Sequence, residues 1–256
     1  MKPDPRWIVP DWPARANVHA FVTTRVGGVS VGEYASLNLG RSSGDDPDRV
    51  ARNRAIVRAH LPAEPTWLAQ VHGAQVARAG HPRVQVDRTG EYRLPDPPQA
   101  DACVADAPRQ VGVVLVADCM PVFFCDRAGA RVAVAHAGWR GLSGGVLENT
   151  IAGMARDPRE IIAWMGPAIG PDAFEVGPEV REAFLARDAG ADAGFRPGKP
   201  GKYMGDLYVL ARRRLEAAGV ASVHGGGFDT YHDAERFFSY RRAAQSGRMG
   251  AFIWME

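Results

Sequence analysis

The chain has 256 residues, 46% of them hydrophobic, and its 31 basic and 29 acidic residues leave a formal charge of +2. That is enough apolar content for a full core and too little net charge for a field that would gather nucleic acid or an anionic membrane surface. No stretch nears the roughly 18 apolar residues of a membrane span, and the opening MKPDPRWIVPDWPARAN lacks the apolar h-region of a signal peptide. A cytoplasmic protein is therefore expected, with no nucleic-acid or membrane partner; the oligomeric state is left open, with a monomer the simpler expectation. Cys103, Cys119 and Cys125 are an odd number of thiols, which argues against a disulfide framework. Lysine occurs only at positions 2, 199 and 202, a composition bias that carries no functional weight.

Residues 1–17 hold several prolines, two tryptophans and no period, and read as a surface arm anchored by Trp7 and Trp12. His19 to Thr24 reads as a strand, and Arg25 to Gly32 (RVGGVSVG) as a Gly-rich turn leading to Asn38-Leu39-Gly40. It matches neither a P-loop nor GxGxxG, so a plain loop is the better reading. Pro47 to Leu61 is the first helix, with Asp45 or Asp46 as N-cap and Pro47 in its first turn. Its apolar positions are Val50, Ile56, Val57 and Leu61, and its arginines are read as a solvated face. Thr66 to Val71 reads as a strand ending in His72-Gly73. Gly80 to Gln99 is polar and Pro-rich, a loop or weak hairpin.

Asp101 to Ala105 opens a strand-rich centre. Val111 to Ala117 and Arg131 to Ala135 are short Val-rich runs that read as buried strands lying side by side. The first closes in Asp118-Cys119-Met120-Pro121 and the second in His136-Ala137-Gly138-Trp139-Arg140-Gly141, where Pro and Gly take the backbone out of a sheet. Gly138 to Gly141 could present backbone N–H groups to an anion. A helix over Gly145 to Ala155, a strand over Glu160 to Met165 and a helix over Pro178 to Arg187 follow. Ala189 to Gly205 is Gly/Asp/Lys-rich and reads as mobile. Asp206 to Ala218 is an amphipathic helix stopped by Gly219, with its three consecutive arginines on the surface. A strand near Val223 and a last strand from Met249 to Met255 complete the chain. Elements from both ends share one core in this reading, so the whole chain is taken as a single domain.

His72, Cys119 and His136 are too far apart for any local metal motif, yet all stand at strand ends beside Gly or Pro, where a sheet can bring them together. Three readings are open at this point. Two imidazoles and a thiolate would make a three-ligand zinc site with a free fourth position, the pattern of catalytic zinc, and copper is permitted by the same donors. Cys119 and His136 could instead be a nucleophile and its base, a cysteine hydrolase. The plainest reading is a buried thiol and core histidines. Cys103 and Cys125 lie inside apolar strands as small core residues, and His19, His60, His81 and His224 suggest no partner.

TTRVGGVSVGEYASLNLG, Asn53-Arg54, QVHG, ADACVAD, VADCMPV, AHAGWRG, GPAIGPDAFEVG, FFSYRR and GRM together resemble the YfiH-type multi-substrate purine nucleoside phosphorylases, a family also known under the names laccase-domain and polyphenol oxidase. The resemblance covers nearly the whole chain. It implies an α+β fold of mixed β-sheets packed as a sandwich and flanked by helices, and one catalytic zinc on His72, Cys119 and His136. It also implies cleavage of adenosine, inosine and methylthioadenosine with phosphate as co-substrate, to base and ribose 1-phosphate, and deamination of adenosine.

Phosphate needs cationic groups, and Arg54 is the first choice, with Arg140 and Arg241 behind it. Asn38 would bond substrate or order the metal's surroundings. Where the family often has two cysteines, this chain has Asp229-Thr230-Tyr231-His232, which argues against a thiol cluster there. Seven histidines are a poor supply for a multicopper oxidase. Editing of peptidoglycan precursors is a second activity associated with the family and would use the same site. A metal-stabilised binding protein would waste the open position.

Overall fold

The run from Met120 to Asp126 is buried along its whole length, and its side chains alternate between two different cores. Met120, Val122 and Phe124 join one cluster, while Phe123 and Cys125 join another. A strand buried on both faces reads as a continuous apolar run, and the architecture follows from the two surfaces it must be covered by.

The computed structural model describes residues 3–80, 85–86, 92–93 and 96–256. The elements are β1 (Val18–Val22), α1 (Pro47–Arg58), β2 (Val76–Arg78), β3 (Gln85–Val86), β4 (Tyr92–Arg93), β5 (Ala102–Ala105), β6 (Gly112–Val116), β7 (Met120–Asp126) and β8 (Val132–Ala137). They continue with α2 (Trp139–Gly144), α3 (Val146–Met154), β9 (Ile161–Met165), β10 (Glu175–Val176), α4 (Pro178–Leu185), β11 (Phe195–Pro197), β12 (Tyr203–Gly205), α5 (Leu207–Ala217), β13 (Ser222–Gly225) and β14 (Met249–Met255). His81 and most of the Gly80 to Gln99 segment lie outside the described residues. None of the described helices is long and apolar enough to cross a membrane.

A six-stranded mixed sheet, β13-β9-β7-β8-β5-β2, packs face to face on a three-stranded sheet, β1-β14-β6. The residues between them include Val114, Val116, Phe123, Val134, Ala251 and Ile253. Helices α2 to α5 cover the outer face of the larger sheet through Leu142, Leu147, Ile151, Val180, Phe184 and Leu210. Helix α1 and Trp7 of the arm cover the outer face of the smaller sheet, against Phe21, Val113 and Phe252. The fold is thus α+β, a sandwich of mixed sheets flanked by helices. Trp7 is buried and stacks on Phe21 at 4.6 Å between ring centroids.

Several expectations are corrected here. β6 and β8 do not lie side by side: β6 pairs with β14, and β8 pairs with β5 and β7. Both are buried on both faces, and an apolar run does not record which sheet it joins. Thr66 to Val71 is no continuous strand and makes only isolated bridges at Thr66 and Ala69. The Gln70 side chain takes the place of a ladder there, donating to Leu115 O at 2.9 Å and accepting from Leu115 N at 2.7 Å.

The helix expected from Gly145 begins earlier, at Trp139, and Gly145 with φ +100° divides it into α2 and α3. The segment expected to be mobile contributes β11 and β12, and β12 pairs with both β10 and β11 in a small antiparallel sheet. Arg214, one of the three consecutive arginines, is buried rather than on the surface and pairs with Glu148 at 2.6 Å, tying α5 to α3.

Phe123 stands between the sheets, fully buried and stacked on Trp164 at 5.7 Å. Phe123→Ala is expected to cost about 3–5 kcal/mol in urea denaturation. A loss below about 1 kcal/mol would mean that the sheets do not depend on this contact.

Candidate functional site

Cys119 belongs to the three-residue connection by which the chain leaves β6 in one sheet and enters β7 in the other. Asp118 makes that crossing with φ +83°, a left-handed conformation uncommon outside glycine. His136 is on β8, opposite Pro121 in the register of β7, which places it one strand from Cys119. His72 comes from the loop before β2 and also has a positive φ, +60°. One ligand atom from each of the three residues lies within 4.8 Å of the others, and the two imidazole centroids are 4.9 Å apart.

The fully buried carboxylate of Asp101 fixes two of the three. Its Oδ1 accepts from His72 N at 2.9 Å and lies 2.9 Å from His136 Nδ1, while Oδ2 accepts from Gly73 N at 2.7 Å and Val71 N at 3.1 Å. With Nδ1–H donating to Asp101, His136 turns Nε2 toward its other neighbour, where it would ligate a metal once that nitrogen has lost its proton. The role of Asp101 is not legible in the sequence, where it is one of the two aspartates of ADACVAD and nothing marks its burial.

Electrostatics favour the thiolate. Burial alone would raise the Cys119 pKa, but the charges and hydrogen bonds of His136 and His72 hold it down at about 6. Burial would likewise lower that of His136, and the Cys119 thiolate with Asp101 raises it instead to about 9. Cys103 and Cys125 behave oppositely: burial pushes both up to about 12, as inert core thiols. Gly138 leaves room for the cluster, since a Cβ there would stand 2.7 Å from Cys119 Sγ and 3.4 Å from His72 Cδ2.

Two borderline nitrogens and a thiolate, one imidazole braced by a carboxylate, fit a transition-metal ion and could hold one with a position open to the cleft. Among the described residues this is the one such group of three. His19 stacks on Trp254, His60 packs against Trp7, His224 pairs with Ser222 and His232 with Asp229.

The cluster opens into a cleft of about 1650 Å³ that, among the described residues, carries seven arginines, Arg41, Arg54, Arg58, Arg78, Arg140, Arg241 and Arg248. Arg54 donates from Nε to Leu39 O at 2.9 Å and lies 3.6 Å from the Trp67 ring centroid. Burial, then Arg41, lowers its pKa to about 10, which leaves it charged at neutral pH. Arg140 is exposed over Trp139, and Arg241 donates to the carbonyls of Ala173 and Glu175. These three and the cluster therefore share one cleft.

Asn38 does not join them. It is buried behind the wall, where Nδ2 donates to Ser43 Oγ and Asp45 Oδ2 and Oδ1 accepts from Gly40 N and Arg248 N. Among the described residues its side-chain hydrogen bonds go to the loop and to Arg248 and not to the three ligand residues. Arg248, seen in sequence only as part of GRM, is in the cleft beside Cys119.

A mixed-sheet sandwich with a three-residue ligand cluster in a cationic cleft defines an α+β protein built around one candidate metal centre. The chain belongs to the family whose model is described as multi-copper polyphenol oxidoreductase laccase, matched over residues 19–256. It is 51% identical over 250 residues to an Escherichia coli protein named purine nucleoside phosphorylase YfiH, covering 97% of this chain and 98% of that one. A Pseudomonas aeruginosa protein, also named a purine nucleoside phosphorylase, is 49% identical over 251 residues, 98% of each.

The crystal structure of a Neisseria meningitidis protein superposes with a TM-score of 0.89 at 45% identity, covering 98% of this chain and 99% of that one. YlmD from Geobacillus stearothermophilus superposes with a TM-score of 0.84 at 28% identity, over 100% and 98%.

Cys119→Ala is expected to lose bound metal after zinc loading, whereas Cys125→Ala keeps it, as read by elemental analysis. Asp101→Asn should weaken metal retention roughly 10- to 100-fold. Equal metal content in the two cysteine variants would remove Cys119 from the ligand set.

Proposed function

We propose that this protein is a zinc-dependent purine nucleoside phosphorylase that cleaves adenosine, inosine and methylthioadenosine, and that it also deaminates adenosine at the same centre. The observation that carries the reading is the His72, Cys119 and His136 cluster at the base of an arginine-lined cleft. The names of relatives at about half identity agree with it. The cleft exceeds the ~300–1,000 Å³ of ordinary small-molecule pockets, which suits two substrates bound together.

In phosphorolysis a phosphate oxygen forms a bond to C1′ as the C1′–N9 bond breaks. The electron pair leaves with the purine, which takes up a proton. Phosphate must be held against the ribose while its charge is balanced, and Arg54, Arg140 and Arg241 supply planar cationic forks for that. Tryptophans 67 and 139, which support two of these guanidiniums, give the cleft flat apolar walls suited to a base. His72, Cys119 and His136 would hold the zinc, with Asp101 keeping His136 in the ligating tautomer. A bound zinc supplies Lewis acidity for a substrate oxygen or an activated water for the deamination, in which water replaces the amino group and ammonia leaves.

The low thiol pKa of Cys119 beside His136 favours one competing reading, a cysteine nucleophile with its base.

Mass-spectrometric product analysis of zinc-loaded protein with adenosine tests the proposal. Adenine formed only with phosphate is the expected result, together with inosine independent of phosphate; adenosine surviving both conditions would overturn it. Removing the metal with a chelator should abolish turnover, and activity persisting in metal-free protein would favour the cysteine reading.

A further inference from the structure

The cleft arginines differ in how their charge is met. Arg58 pairs with Glu64 and Arg78 with Asp106. Arg41, Arg140 and Arg241 are exposed. Arg54 and Arg248 are half-buried and, among the described residues, form no ion pair with a carboxylate. A desolvated cation left without a partner is costly unless something else meets its charge. Arg248 lines the cleft together with Cys119 and Asp118.

The placement of Arg248 is built in detail. Its Nη1 donates to Ser246 O at 2.6 Å and to Gly247 O at 2.9 Å, which fixes the guanidinium, and the guanidinium carbon lies 5.7 Å from the Tyr240 ring centroid. Its Nε and Nη2 have no protein acceptor among the described residues. The backbone is held as firmly: Arg248 N donates to Asn38 Oδ1 at 2.9 Å, and Arg248 O accepts from Leu39 N at 3.1 Å.

The carbonyl of the same Leu39 accepts from Arg54 Nε, so one residue of backbone ties both unpaired arginines. Gly40 completes the seat. A Cβ there would lie 2.8 Å from Arg248 Cγ and 3.2 Å from its Cβ, so only glycine lets the arginine stem cross at this height.

We propose that Arg248, together with Arg54, binds the phosphate oxyanion on the Cys119 side of the cleft, and that Asn38 and Gly40 are its positioning residues. This rests on the phosphorolysis reading above. It gives a use to Asn38-Leu39-Gly40 and to the GRM segment, which are hydrogen-bonded to each other and, among the described residues, not to the ligand cluster. Nε and Nη2 of Arg248 are the donors left for a tetrahedral anion, in the side-on geometry that a guanidinium uses for phosphate.

The test is steady-state kinetics of zinc-loaded Arg248→Met, Arg248→Lys and Gly40→Ala with adenosine and inorganic phosphate, with metal content measured alongside. Arg248→Met should raise the phosphate KM roughly ten- to a hundredfold, the effect of one lost charged hydrogen bond, with nucleoside KM and zinc content nearly unchanged. Arg248→Lys should recover only part of the loss, because an ammonium keeps the charge and lacks the fork. Gly40→Ala should raise the same KM alone, and adding it to Arg248→Met should produce no further rise, the non-additivity of residues acting through one group.

A phosphate KM unchanged in Arg248→Met, or raised only with loss of zinc, would overturn the assignment while leaving phosphorolysis intact. If no nucleoside is cleaved at all, calorimetric titration with inorganic phosphate still decides. Binding by the parent protein that disappears in Arg248→Met supports the site, and equal binding in both, or none in the parent, sinks it.

Discussion

The carboxylate of Asp101 is the contact on which the rest of the site depends. Three consecutive backbone N–H groups, from Val71 to Gly73, converge on it, together with the ring nitrogen of His136. A buried carboxylate is tolerated when hydrogen bonds replace its lost hydration, and here every replacement comes from a ligand residue or its neighbours. Solvating Asp101 and aiming His72 and His136 are therefore one event. The left-handed backbone at His72 is held by the same bonds. The loop does not need sheet pairing of its own, because a side chain supplies what a ladder would have supplied.

The sandwich provides rigidity and the connections provide reach. β7 and β8 are buried on both faces, so the positions of Cys119 and His136 are set by two cores at once. The cleft is lined mostly by segments outside the strands: 40–43, one face of α1, 64–70, the start of α2, Ile169 and Phe174, and Tyr240, Arg241 and Arg248. Asp118 ties several of these to the crossing between sheets. It accepts from Thr230 Oγ1 and from Arg241 N, and its carbonyl accepts from Ile169 N. A chain with a formal charge of only +2 thereby gathers, among the described residues, seven guanidiniums around one concavity. The local field follows from placement and not from composition.

Much of this is readable from sequence because both cores impose simple periods. The strands at 112–116, 132–137, 161–165 and 249–255 and the helices at 47–58, 178–185 and 207–217 follow from apolar runs, N-caps and Gly stops. The convergence of His72, Cys119 and His136 follows from their place at strand ends. Sheet membership is not readable, because β6 and β8 carry the same Val-rich signal while belonging to opposite layers. Nor is the start of α2, where glycines at 138 and 141 suggest a loop although close packing on Cys119 and Gly73 is what requires them. Asp101, Arg248 and the buried Arg214 escape for a common reason. A polar residue declares its role through its partners, and those partners lie far away in the chain.

The order of strands in the smaller sheet bears on when the protein can assemble. β14, the last strand made, lies between β1, among the first, and β6 from the middle of the chain. The inner face of β7 and β8, with Phe123 and Val134, is covered by a complete sheet only when β14 sits between the other two strands. Closing that sheet joins segments more than 200 residues apart, and pairings of such long range are slow and leave strand edges open to other chains. The smaller sheet closes only when these distant segments meet, so its three strands come together in one step.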